Sequence, residues 1–182
     1  ASDVYKRQPL HESYEKFYSF SREQAIQAVS YYREYYEEKG MFENEVYPGI
    51  KELLRVLTKQ GILCLVATSK PEIYAKKILD YYKLRTYFHY IAGANMDGTR
   101  TDKAEVIAYA LKQIPAEYNN KKILMVGDRS HDIIGAKKNG IDCAGVLFGY
   151  GSREELEEAG ADFVADSVEA VRNIILLDTA MN

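Results

Sequence analysis

From residue 48 onward the chain alternates short, wholly apolar runs with amphipathic stretches of helical period, and this alternation limits it to one class of fold. Ile62-Leu63-Cys64-Leu65-Val66-Ala67 contains no charged or strongly polar side chain, and Ile123-Leu124-Met125-Val126 repeats the pattern. A strand with one wet face alternates apolar and polar residues, whereas a strand covered on both faces has no need to. Tyr90-Ile91-Ala92, residues 143–148 and Phe163-Val164 read as further short strands. Between them, apolar residues recur at three- and four-residue steps: Ile50, Leu53, Leu54 and Leu57, then Tyr74, Ile78 and Leu79, then Ala104, Ile107, Leu111 and Ile114. Each set lies on one helical face. Pro48 is expected in a helical first turn that runs to Gly61, Pro71 restarts a helix, and Gly140 stops the helix over 132–139. Helices over 153–159 and 168–177 complete the pattern. The reading is an α/β fold: a parallel sheet with helices on both faces.

The first 40 residues follow another rule. Ala25, Ile26, Val29, Tyr32 and Tyr36 trace a Tyr-rich helical stripe over residues 9–40, closed by Gly40. Asp3-Val4-Tyr5-Lys6-Arg7-Gln8 resembles the translation of a transposase adapter used in preparing sequencing libraries. Residues 1–8 are therefore read as a non-native scar, with the protein proper starting near Pro9.

Bulk properties exclude several partners. A net charge of −3 gives no electrostatic basis for binding nucleic acid. No apolar run approaches the ~20 residues of a membrane span, and no signal-peptide core precedes the helices. Cys64 and Cys143 each sit in an apolar run without a partner at metal-ligand spacing, as expected of buried, reduced thiols in a cytoplasmic protein.

In parallel sheets ligands bind beyond the carboxyl ends of the strands. Three such places carry polar residues. Thr68 and Ser69 follow the first apolar run and precede a helix, where hydroxyls and backbone N–H groups can meet an anion or simply cap the helix. Asp128 and Asp132 follow the run ending at Val126, a spacing that can bracket one hard cation, although Asp132 can also cap the next helix. Lys103 opens a helix, where the dipole disfavours a cation unless an anion is near; a solvated lysine is the plain alternative.

Taken in order, a hydroxyl after one strand, a later lysine and then Gly127-Asp128-x-x-x-Asp132 resemble the haloacid dehalogenase-like hydrolases, and in particular the phosphoglycolate-phosphatase-like branch. Gly149-Tyr150-Gly151-Ser152-Arg153-Glu154-Glu155-Leu156, with Ala159-Gly160-Ala161-Asp162, resembles the usual ending of that branch. The resemblance implies a Rossmann-like core over 47–182 with a helical cap over 9–46. It also implies hydrolysis of a small phosphorylated metabolite, phosphoglycolate or a nucleoside 5′-monophosphate, with Mg²⁺ and an aspartyl-phosphate. Carried over by position, Thr68 and Ser69 meet the phosphoryl group, and Lys103 neutralises its charge. Asp128 ligates Mg²⁺ with Asp132 supporting it directly or through water, and Arg33 of the cap is a candidate for the leaving group. A phosphomutase and a non-catalytic binding protein are the alternatives; a dehalogenase has no need of the acidic pair.

One departure stands out. The family's first motif, Asp-x-Asp-Gly-Thr at the end of a first strand, supplies the nucleophile, and nothing before residue 62 matches it. Asn95-Met96-Asp97-Gly98-Thr99 imitates it, but with Asn in the nucleophile's place and in the wrong chain order, and reads as a loop leading to Lys103. The chain is thus expected to be an N-terminally shortened member. Its sheet should be open between the strands ending near Thr68 and Asp128, or closed by their direct pairing.

Overall fold

The computed structural model describes residues 10–97 and 99–180, so the stretch read as a scar lies outside the described residues. The chain divides into two compact units between Glu45 and Val46.

The first unit pairs α1 (Leu10–Tyr18) with α2 (Arg22–Glu38) and ends in a 3₁₀ turn at Gly40–Phe42. The single helical stretch expected from sequence breaks at Ser19, whose φ of 55° cannot continue a helix. Ser21 then starts α2 with a reciprocal cap. Its hydroxyl accepts from the Gln24 N–H at 3.2 Å, and its own N–H donates to Gln24 Oε1 at 2.9 Å.

The second unit runs α3 (Ile50–Lys59), β1 (Leu65–Pro71), α4 (Glu72–Tyr81), β2 (Tyr90–Ala94), α5 (Lys103–Leu111), β3 (Leu124–Gly127), α6 (Ser130–Lys138), β4 (Asp142–Val146), α7 (Arg153–Glu158), β5 (Phe163–Ala165) and α8 (Val168–Ala180). All ladders are parallel, but they form two sheets: β1 with β2, and β3-β4-β5 in that order. Among the described residues no ladder joins β1 to β3.

Burial confirms that the inner edges are open. Ile91, Ala92 and Ala94 of β2 and Cys143, Ala144 and Val146 of β4 are buried. No residue of β1 or β3 is, and Val126 is 37% exposed. Apolar runs suited to a central position instead flank a slot.

Helices hold the two sheets together. On one side α5 packs on β1 and β2 and also on α6. The approach of α6 depends on Gly135, where a Cβ would lie 3.0 Å from both Lys103 Cγ and Ile107 Cδ1. Asn139 Nδ2 then donates to Ala104 O at 3.0 Å across the same seam. Elsewhere Leu53 and Leu57 of α3 join Val146, Ala165 and Val171, with Ile62 and Cys64 against them. Fully burying a side chain of this kind contributes about 1.5–3 kcal/mol, so this cluster and the α5–α6 seam replace part of what a continuous sheet would give.

Two boundaries and the burial of one cysteine differ from the sequence reading. The first strand starts at Leu65 rather than Ile62, because its ladder with β2 begins at Leu65↔Tyr90. Pro48 lies outside the helical first turn; Gly49, at φ 87°, is the N-cap of α3. Cys64 is only half-buried, while Cys143 is buried, and both are free thiols. Among the described residues no helix is long and apolar enough to cross a membrane.

Candidate active site

The carboxyl ends of β1 and β3 face the mouth of the slot, and one side chain connects them. Lys103, the first residue of α5, donates to Ala67 O at 3.1 Å and pairs with Asp132 Oδ1 at 2.8 Å. Ala67 directly precedes Thr68, so the lysine ties the Thr68 segment to the start of α6. Asp102 caps α5 by accepting from Ala104 N at 2.9 Å and Glu105 N at 3.3 Å, which fixes where the helix begins and so where Lys103 projects.

Thr68 and Ser69 sit in an irregular stretch of β1. Ala67 faces Ala92 and Pro71 faces Ala94, so Thr68, Ser69 and Lys70 together oppose Gly93 alone. This bulge breaks the regular ladder over these three residues. It requires glycine opposite, since a Cβ on Gly93 would come within 2.6 Å of Lys70 O and of the Glu72 backbone. The Thr68 hydroxyl accepts from Lys70 N at 3.2 Å, and Ser69 is exposed.

Asp132 is 5% exposed and both its oxygens are occupied. Oδ1 takes Lys103, and Oδ2 accepts the N–H groups of Asp128 (3.1 Å) and Arg129 (3.2 Å). It thus caps α6 from within the first turn, while Oδ1, which takes Lys103, keeps a lone pair. Asp128 is placed differently. Its Oδ2 accepts from Tyr150 N at 2.8 Å, and the 149–151 backbone presses on it. A Cβ on Gly149 would lie 2.3 Å from Asp128 Cβ, and one on Gly151 would lie 2.2 Å from Asp128 O. A Cβ on Gly127 would meet Asp132 Cβ at 2.3 Å. These three glycines let the chain close around the two aspartates.

Among the described residues no group of three or more metal-ligating side chains converges. That suits Mg²⁺ better than a caged ion, because Mg²⁺ keeps several waters and binds through one or two carboxylates plus substrate phosphate. Asp128 and Asp132 are the carboxylates at this place that could hold such an ion.

The sequence reading missed a second carboxylate at the start of α6. Glu155 accepts from Ser130 N at 2.8 Å and from Arg129 Nε at 2.9 Å. Burial alone raises its pKa, but the Ser130 N–H and the Arg129 guanidinium outweigh this and hold the carboxyl below its ordinary value. The only sequence signal is Ser152, the N-cap of α7, whose hydroxyl accepts from Glu155 N at 3.2 Å. The imitation motif is a closed loop: Asn95 N donates to Thr99 O at 3.0 Å, and the Thr99 hydroxyl donates to Asp97 at 2.6 Å. That hydrogen bond holds the Asp97 carboxyl below its usual range. Arg33 is exposed on α2 of the first unit.

The chain is similar to several known proteins. The model of the haloacid dehalogenase-like hydrolase family matches residues 3–146. A 5′-nucleotidase of Pseudomonas aeruginosa is 38% identical over 169 residues, covering 92% of this chain and 75% of the relative. A phosphoglycolate phosphatase of Vibrio vulnificus is 29% identical over 86% of this chain and 68% of its own length. The tyrosine-protein kinase PtkA of Mycobacterium tuberculosis is 37% identical over 84% of this chain, which spans 53% of that protein. Among solved structures, a candidate phosphatase of Clostridium difficile superposes with a TM-score of 0.86 at 47% identity, covering 95% of this chain and 80% of the other. With a family model matching most of its length and the site elements at the matching strand ends, the chain belongs to the haloacid dehalogenase-like hydrolase family.

Proposed function

We propose that this chain forms most of a Mg²⁺-dependent phosphatase acting on a small phosphate monoester, of the nucleoside 5′-monophosphate or phosphoglycolate type. The observation that carries the reading is the Lys103 bridge from Ala67 O to Asp132 across the mouth of the open slot. A largely buried cation held between β1 and the first turn of α6 is placed to neutralise charge on a phosphoryl group and on the group that attacks it.

Asp128 would hold Mg²⁺, with Asp132 acting through Lys103 and the α6 N-terminus. When bound, Mg²⁺ supplies charge neutralisation at the phosphoryl oxygens. Thr68 and Ser69 on the bulge offer hydroxyls to the same oxygens, and Arg33 is a candidate contact for the leaving group.

The nucleophile is proposed to come from a further parallel strand seated in the slot, ending in an aspartate. Its carboxylate would attack phosphorus and expel the alcohol, which takes a proton, and water would then cleave the aspartyl-phosphate. Two parallel edges with open ladders support this, as does the greater length of the relatives. Without that strand the chain is expected to be inactive.

A non-catalytic phosphate binder is the second reading, favoured because the two carboxylates described at the slot are already engaged, Asp128 by Tyr150 N and Asp132 by Lys103 and two backbone N–H groups. The test joins a strand ending in Asp-x-Asp-Gly-Thr upstream of residue 9 and follows phosphate release from AMP, phosphoglycolate and p-nitrophenyl phosphate with Mg²⁺ and with EDTA. Mg²⁺-dependent turnover supports the phosphatase; phosphate binding without turnover supports the alternative.

A further inference from the structure

The segment between β2 and α5 reaches Lys103 through Arg100, whose backbone sits in the left-handed region at φ 52°. A residue with a Cβ seldom adopts that conformation and keeps it where its surroundings impose it. Here the side chain is held from three directions. Nε donates to Gly93 O at 2.8 Å, Nη2 pairs with Glu72 Oε2 at 3.3 Å, and the guanidinium carbon lies 3.7 Å from the centre of the Tyr109 ring. The side chain is 18% exposed. Its partners are themselves fixed: the Tyr109 and Tyr90 hydroxyls are 3.0 Å apart, and Glu72 Oε1 takes Lys76 at 2.6 Å.

The three contacts fall on the elements that set the site. Glu72 begins α4 directly after the Thr68–Pro71 bulge. Gly93 is the residue that this bulge opposes, and Tyr109 lies in the helix that Lys103 opens. One planar cation thus joins the segment carrying Thr68 to the segment carrying Lys103. Lysine could not do the same, because a point charge cannot fork to two acceptors and stack on a ring.

We propose that Arg100 is a positioning residue that acts through Lys103: it fixes the turn before α5 so that the lysine spans Ala67 O and Asp132. The inference rests on the role given to Lys103 above. It predicts loss in the chemical step rather than in substrate binding, because a displaced lysine reaches the transferring group poorly while the mouth stays intact.

The experiment measures kcat and KM for p-nitrophenyl phosphate in the strand-completed chain, for Arg100→Ala, Arg100→Lys, Lys103→Ala and the double variant with both alanines. Arg100→Ala is expected to lower kcat about 10- to 100-fold with KM within about threefold. In the Lys103→Ala background the same change should cost less than about twofold, since the residue through which it acts is gone. Equal losses in both backgrounds, or a loss confined to KM, would overturn the proposal. If Arg100→Ala does not fold, Arg100→Lys decides. With an unchanged circular dichroism spectrum it should still lose about fivefold or more in kcat, and full kcat would overturn the inference. Lys103→Ala at the full rate would instead overturn the role of Lys103 itself, which separates the two failures.

Discussion

Lys103 Nζ and Asp132 Oδ1 lie 2.8 Å apart, with side chains only 12% and 7% exposed, at the point where the two sheets come closest in function. The pair spans the α5–α6 seam, and Asp132 also accepts two backbone N–H groups. Asp132→Ala should therefore leave a largely buried lysine with no counter-charge, only Ala67 O as a partner, and two N–H groups unmatched. A loss of about 3–5 kcal/mol is expected in denaturant unfolding of the strand-completed chain, and a smaller loss when Lys103→Met is added. A double variant no better than Asp132→Ala alone would show that the pair is not coupled.

The glycines around Asp128 give a second expectation. Gly151→Ala would drive a Cβ to within 2.2 Å of Asp128 O, a backbone atom that cannot yield as a side chain does. The strand-completed variant should bind Mg²⁺ about 10- to 100-fold more weakly in calorimetric titration. Gly145→Ala is the comparison, because its Cβ would meet only the Leu156 side chain, at 2.8 Å. It should cost stability with little change in Mg²⁺ affinity.

Glu155 sets a pH dependence. Burial raises its pKa, yet the Ser130 N–H and Arg129 outweigh it, so the folded value lies below the unfolded one. A depressed carboxyl contributes stability above the unfolded pKa and loses it as pH falls through the folded pKa. Wild-type protein should therefore lose more stability than Glu155→Gln between pH 7 and the acid range below the usual carboxylate pKa. Thermal midpoints of the two, taken over that range, should converge on acidification; parallel curves would count against the assignment.

Much of this architecture is legible in the residues. The apolar runs before Thr68 and Asp128 announce strands meant for a sheet centre, and Lys103 links the residue before Thr68 to Asp132. Lys103 and Asp128 could be picked out because each is a charged group at a place where local structure alone does not ask for it, and Asp132 because its spacing from Asp128 suits a cation as well as a helix cap. The relations that fix them could not. Arg100 meets Glu72 across 28 positions and Glu155 meets Arg129 across 26, and no local pattern encodes either pairing. Tyr150 serves Asp128 through its backbone N–H, which every residue other than proline possesses. The break at Ser19 was in principle readable from the Ser21-x-x-Gln24 spacing, whose cap outweighs the continuing tyrosine stripe.

The open edges carry their own consequence. Unpaired backbone groups on β1 and β3 each cost on the order of 1–3 kcal/mol when kept from water, and exposed edges pair with other chains. The 182-residue chain is expected to self-associate, seen by light scattering as species larger than the monomer. A soluble monomer with a cooperative thermal transition would contradict this.

Phosphate release from p-nitrophenyl phosphate, measured in parallel for the 182-residue chain and for the same chain carrying an upstream strand that ends in Asp-x-Asp-Gly-Thr, tests the central claim most directly. The account predicts no Mg²⁺-dependent turnover in the first. In the second it predicts turnover that falls at least ~100-fold in Lys103→Ala and in Asp128→Ala. Turnover by the 182-residue chain that disappears in Asp128→Ala, or a strand-completed enzyme indifferent to Lys103→Ala, would contradict it.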